Sequence, residues 1–202
     1  YDKLEGEEDW DAMKVFMYGV SNDEGNSVRH FSEVLPQLHA MTHTTWRHKK
    51  RPMPLLIHLE RKYIHVQGMN GEPEFGKRIS ILDREYEAAL TDLDYLFREV
   101  PGISATVEHI GDRRTLEKIR ELRAQGHDVW GGIAPHYGQY CLDDLFEGPA
   151  FNAHLLCWPL FKTEEDRQAI DEAMLSGEDY FYFGSDRACQ TNDITQAKNV
   201  KI

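Results

Sequence analysis

Five side chains of types that hold metals or move protons fall at or near the ends of apolar runs: Lys14, His58, His109, His136 and Asp186. The clearest run is Met53-Pro54-Leu55-Leu56-Ile57-His58-Leu59-Glu60. An unbroken apolar stretch opened by a proline reads as a strand buried on both faces, with His58 where it ends. In alternating β/α architectures the C-terminal strand ends form the mouth where chemistry is done. A lone histidine is more often a hydrogen-bonded structural residue. Metal-capable side chains at equivalent places of successive units make a pattern instead. Imidazole nitrogen and carboxylate oxygen are the usual ligands of a catalytic zinc with an open position. Lysine is different, because an ammonium cannot ligate. An unpaired ammonium inside an apolar strand is costly, so Lys14 either faces water from an edge strand, finds a partner, or changes chemically. Carboxylated by carbon dioxide, it becomes an anionic, two-oxygen bridge between metals.

The elements that must position these groups follow from periodicity. Ala12 to Tyr18 reads as the first strand, and residues 19–27 as a polar, glycine-bearing loop. Ser27 is the expected N-cap of a helix carrying Val28, Phe31, Val34, Leu35 and Leu38, with Pro36 expected to kink it. His30, His39, His43 and His48 are read as solvated on this helix and the basic turn after it. The second strand ends at His58, and a polar loop is expected after it. Apolar residues from Ile79 to Leu96, three or four apart, predict a long amphipathic helix over 78–99, broken by Pro101-Gly102. Ile103 to Val107 is the third strand, delivering Glu108-His109. Asp112 caps a helix closed by Gly126. Val129 to Ala134 is the fourth strand, ending in Pro135-His136. Thr163 to Asp166 forms a near capping box, and Tyr180 to Phe183 is the fifth strand, ending Gly184-Ser185-Asp186. The tryptophans and the Tyr180–Phe183 run are assigned to the core. The pattern predicts an α/β fold of parallel strands alternating with helices, about five βα units in one domain over 1–202.

Composition bounds the partners. A net charge of −12 over 202 residues leaves no basic surplus for phosphates, which argues against nucleic acid or an anionic membrane. Three cysteines without disulfide-like spacing suit a reducing compartment, and no apolar stretch or leader points to a membrane or export, so the expected location is cytoplasmic. The chain opens on Tyr1 rather than Met, which points to processing or an incomplete sequence.

The chain resembles dihydroorotase, an amidohydrolase of pyrimidine biosynthesis, over roughly residues 10 to 188. The likeness rests on Lys14 in its strand, Met53 to His58 with Glu60, and Val107-Glu108-His109-Ile110. It continues through His154-Leu155 with Cys157 and Pro159, and Phe183-Gly184-Ser185-Asp186. The resemblance implies a partial TIM-type (β/α) barrel corresponding to the family's fourth to eighth strands. It implies two zinc ions bridged by carboxylated Lys14, with His58 and His109 on the second zinc. Asp186 would be both a ligand of the first zinc and the general base. The implied substrate is dihydroorotate or N-carbamoyl-aspartate, closed and opened reversibly. Loop 19–27 matches the family's substrate-covering loop, where Ser21 would be a hydroxyl donor. Glu60 and Glu108 are expected to orient neighbours, and His136 and His154 to sit beside the metals rather than on them.

Departures accompany the matches. The family's first three strands, with the His-x-His pair of the first zinc, have no counterpart. Where the family follows its aspartate with Ser-Ala-Pro-His, this chain has Arg187-Ala188-Cys189-Gln190. An open parallel sheet requires cover, so a homo-oligomer or a covering partner chain is expected. Two alternatives to the dihydroorotase reading stand: a catalytically inactive structural or regulatory subunit, and a hydrolase of another cyclic amide such as a hydantoin.

Overall fold

The computed structural model describes residues 12–17, 28–43, 52–67, 73–147 and 151–186, with only the backbone described at 64–67 and 73–77. Five strands form one parallel sheet: β1 (Met13–Phe16), β2 (Leu55–His58), β5 (Ser104–Val107), β6 (Asp128–Ile133) and β7 (Phe181–Phe183), in the order β1-β2-β5-β6-β7. All five are the strands expected from the apolar runs. Helix α1 (Leu35–His43) follows β1. Helices α2 (Arg84–Ala88) and α3 (Asp94–Glu99) are joined by a π turn, Ala89–Leu93, and lie between β2 and β5. Helix α4 (Arg113–Ala124) links β5 to β6, and α5 (Pro135–Gln139) and α6 (Glu164–Leu175) precede β7.

Register explains how the sheet divides its side chains. Lys14 pairs with Leu56 and Phe16 with His58, while Ile57 pairs with Val107 and Val107 with Gly131. Because side chains alternate, Val15, Leu55, Ile57, Ala105, Val107 and Val129 share one face. All are buried, in one cluster with Leu38 of α1, Leu96 of α3, Leu116, Ile119 and Leu122 of α4, and Ile170 of α6. The opposite face carries Lys14, Phe16, Leu56, His58, Thr106, Trp130, Gly132 and Tyr182. Helices therefore hold one side of the sheet, and the chemistry-bearing residues stand on the other.

Local chemistry sets the boundaries. Asp112 caps α4 by accepting from the Arg114 amide, and Gly126 ends it at a φ of 89°, as its sequence predicts. Thr163 and Asp166 complete the reciprocal capping box of α6. Several expectations are corrected. Val28 is outside any helix and bridges Met17 beside β1. His30, expected to be solvated, accepts from the Ser32 amide at the start of a short 3-10 turn and packs edge-on to Tyr95. Pro36 makes no interior kink, because α1 starts at Leu35 and proline is tolerated in a first turn. Ser27, Ser21 and His48 lie outside the described residues. The polar loop expected after β2 contains an antiparallel hairpin, β3 (Tyr63–Gln67) and β4 (Pro73–Arg78). The helix expected over 78–99 starts at Arg84, and its π turn lies where Thr91 and Asp92 meet Arg61. Tyr182 and Phe183 are not core: β7 is an edge strand, and Phe183 is 64% exposed. Among the described residues no helix is long and apolar enough to cross a membrane, and Cys141 and Cys157 are free thiols.

Candidate metal centre

His58, the last residue of β2, is 3% exposed and has both ring nitrogens committed. Its Nε2 lies 2.9 Å from Glu60 Oε2, and its Nδ1 lies 2.9 Å from His109 Nε2. Glu60 is fully buried. A carboxylate only accepts, so the proton of neutral His58 sits on Nε2 and the Nδ1 lone pair faces His109.

His109 reaches this position through an unusual backbone. Its φ is 43°, and among the described residues only it and Asp186, at 48°, are non-glycine residues in the left-handed region. Such a conformation costs about 1–3 kcal/mol and persists where the surroundings over-determine it. Here they do: the Glu108 amide donates to Ile57 O, the Ile110 amide to Gly132 O, and the Gly111 amide to Glu85. Asp186 follows β7, whose end is fixed by the Gly184 amide donating to Ile133 O. Together Glu108, His109, Gly132, Tyr182, Gly184 and Asp186 line one pocket at the C-terminal ends of the strands.

Lys14 stands on the same face, on edge strand β1, as a partly exposed side chain. Its ammonium forms an ion pair with Glu108, the partner that its place in an apolar strand requires. Burial lowers its pKa, and Asp186 opposes that shift. His109 is pushed down to about 2, chiefly by burial and then by His58 and Lys14, so it is a neutral imidazole at any ordinary pH. Burial also lowers the pKa of His136, again with Asp186 opposing. Lys14, His58, His109, His136 and Asp186 thus share one electrostatic neighbourhood. His154 does not join them and is exposed on a 3-10 turn. Gln190 lies outside the described residues.

The donors suit a metal. Two nitrogens on a tetrahedral zinc at about 2.05 Å stand about 3.3 Å apart. The facing Nδ1 and Nε2 of His58 and His109 need only a small spread from 2.9 Å to reach that. Buried His109 Nδ1 has no hydrogen-bond partner among the described residues, so His109 is imperfectly satisfied by protein alone. Among those residues no three His, Cys, Asp or Glu side chains close on a single point. Carboxylation of Lys14 requires the Glu108 pair to open, since a carbamate would put two anions side by side.

Sequence reasoning gave Glu108 only a general orienting role and assigned Tyr182 to the core. The signal for Tyr182 was its alternation with Phe181 and Phe183, which puts it on the face of Lys14 and His58. Glu85, Lys162 and Tyr137, buried behind the His109 loop, carried no sequence signal at all.

Comparison with known proteins places this geometry. The chain is 28% identical over 177 residues to the dihydroorotase of Buchnera aphidicola subsp. Acyrthosiphon pisum, covering 88% of this chain and 44% of that protein. It superposes on the crystal structure of dihydroorotase from Campylobacter jejuni with a TM-score of 0.68 at 26% identity, over 88% of this chain and 45% of that one. L-Hydantoinase (dihydropyrimidinase) from Arthrobacter aurescens shares the fold, with a TM-score of 0.63 at 18% identity, over 86% of this chain and 37% of the other. No family model matches. The chain is similar to dihydroorotases in sequence and shares their fold, and it spans a little under half the length of these relatives.

Proposed function

We propose that this dihydroorotase-like chain carries one half of a zinc-dependent centre that opens and closes a cyclic amide, dihydroorotate to N-carbamoyl-L-aspartate, in pyrimidine biosynthesis. The observation that carries the reading is the facing of His58 Nδ1 and His109 Nε2 at the mouth of a parallel sheet, with Lys14 and Asp186 beside them. His58 and His109 would hold one zinc, Lys14 as a carbamate would bridge to a second, and Asp186 would join that second site. When bound, zinc supplies Lewis acidity that readies water for attack and polarises the ring carbonyl. Asp186 accepts the proton of the attacking water on its carboxylate and passes it to the ring nitrogen as the C–N bond breaks. Glu60 keeps the His58 proton on Nε2. Tyr182 and Gly132 form a wall of the pocket against which a flat ring would rest.

The open edges β1 and β7 are closed, in this reading, by a further polypeptide or by a second copy. A second substrate class, the hydantoins, is favoured by the fold shared with L-hydantoinase. The test is metal analysis of the purified protein with turnover assays on dihydroorotate and on a hydantoin. Zinc with dihydroorotate turnover supports the proposal, and zinc with hydantoin turnover alone supports the second reading. A protein that retains no zinc and turns over neither compound is the non-catalytic subunit, and the proposal fails.

A further inference from the structure

Behind the pocket a second polar cluster is sealed from solvent. Glu85, in the first turn of α2, and Lys162, just before α6, are both buried and lie 77 positions apart in sequence. Lys162 Nζ stands 3.4 Å from Glu85 Oε2 and donates to Leu160 O at 2.7 Å. The two oxygens of Glu85 accept from the Gly111 amide at 3.1 and 3.2 Å. Tyr137 packs over the same glycine, where an added Cβ would lie 2.8 Å from its ring, and its hydroxyl donates to Pro159 O. Three loops at the mouth of the sheet therefore meet here: the one entering α2, the one from β5 to α4, and the one entering α6.

Burying two charges is expensive, and a buried ion pair is weak support for stability in itself. Its placement suggests another use. Gly111 is two residues beyond His109, and its amide, with that of Ile110, closes the turn that holds His109 in the left-handed region. We propose that the Glu85–Lys162 pair is a positioning clamp: it fixes the Gly111 amide and so holds His109 Nε2 opposite His58 Nδ1. The metal part of this inference rests on the function proposed above, whereas the clamp itself does not. Neither residue touches the pocket, so both act through the backbone. Burial pushes the Glu85 pKa up to about 7, and the Lys162 ammonium opposes that rise.

The test uses Glu85→Leu and Glu85→Gln, with Leu122→Ala at the far end of α4 as a control for simple loss of stability. Hydrogen exchange on the metal-free protein reads the clamp directly. Glu85→Leu should speed exchange of the Gly111 amide at least tenfold while Ala105 and Thr106 stay protected. Glu85→Gln, which keeps an acceptor, should stay within threefold of the parent. Zinc affinity should follow, falling ten- to a hundredfold for the leucine variant only. If Glu85→Leu does not fold, the double variant Glu85→Ala/Lys162→Met removes both charges together and should loosen the same segment. Parental exchange at 108–112 in whichever variant folds, or equal loosening in Leu122→Ala, overturns the clamp. A parent protein that binds no zinc overturns the metal reading instead, and exchange still decides the clamp.

Discussion

Removing Glu60 is the most direct probe of the candidate metal centre. Its Oε2 accepts from His58 Nε2 at 2.9 Å with both side chains buried, so the bond is charge-assisted and unscreened by solvent. Hydrogen bonds to charged groups contribute about 1.5–3 kcal/mol. In the parent His58 Nδ1 already presents its lone pair, and only the His109 Nε2 proton must shift, to the unpartnered Nδ1, before a cation binds. Without Glu60 the His58 proton can settle on Nδ1 and has no acceptor beside Nε2 to return to. Up to the whole of that energy then appears in metal affinity. At about 1.4 kcal/mol per decade, Glu60→Leu should weaken zinc binding by roughly 10- to 150-fold. Glu60→Gln keeps a neutral acceptor with about half the strength, and should cost about three- to twelvefold. Competition titration against a chelator, with cobalt as a spectroscopic substitute, measures both variants. If Glu60→Leu binds zinc within threefold of the parent, Glu60 does not set the His58 tautomer and the assignment of Nδ1 as the ligating atom is wrong.

Other perturbations separate the remaining roles. Lys14→Ala should abolish retention of a metal pair while the far-ultraviolet circular dichroism of the helices is unchanged, and full metal content in that variant excludes the bridge. Glu108→Gln removes the ion pair that competes with carboxylation, worth about 0.5–1 kcal/mol for a partly exposed pair. Metal loading at fixed bicarbonate should therefore rise about two- to fivefold in metal analysis. Asp186→Asn should weaken metal retention and, in turnover assays with excess zinc restoring the load, should still lower kcat by about 10²- to 10⁴-fold, as expected for loss of the base. Gly111→Ala forces a Cβ to within 2.8 Å of the Tyr137 ring and should destabilise the fold by about 1–3 kcal/mol in thermal melts. Burial raises the Cys157 thiol to about 11, so at pH 8 its alkylation, followed by mass spectrometry, should run more than about a hundredfold slower than that of an ordinary thiol near 8.5.

What the sequence revealed and concealed follows from the range of the interactions. The five strands were legible because a parallel strand beneath helices is an apolar run, and His58, His109 and Asp186 were legible as interruptions at the run ends. Asp112, Gly126 and the Thr163–Asp166 box were legible because capping is local. The β3–β4 hairpin was missed, although Tyr63-Ile64-His65-Val66-Gln67 alternates with period two, because its neighbourhood reads as polar. The start of the long helix was misplaced because Ile79 and Leu82 extend its apolar spacing beyond its first turn at Arg84. Glu85 and Lys162 look like surface residues of two helix entries, and only the folded chain brings them together. Tyr182 and Phe183 were assigned to the core because an aromatic run carries no mark of standing at a sheet edge.

The left-handed torsions at His109 and Asp186 set protein engineering against itself. Glycine at exposed Asp186 would relax the main chain and raise the melting temperature, whereas at buried His109 the space left by the imidazole offsets that relief. A laboratory selection that rewarded heat resistance alone would therefore drift toward losing the Asp186 side chain. On the proposed function its winners would be sturdier and inert, and only a screen scoring turnover would keep the carboxylate where it stands.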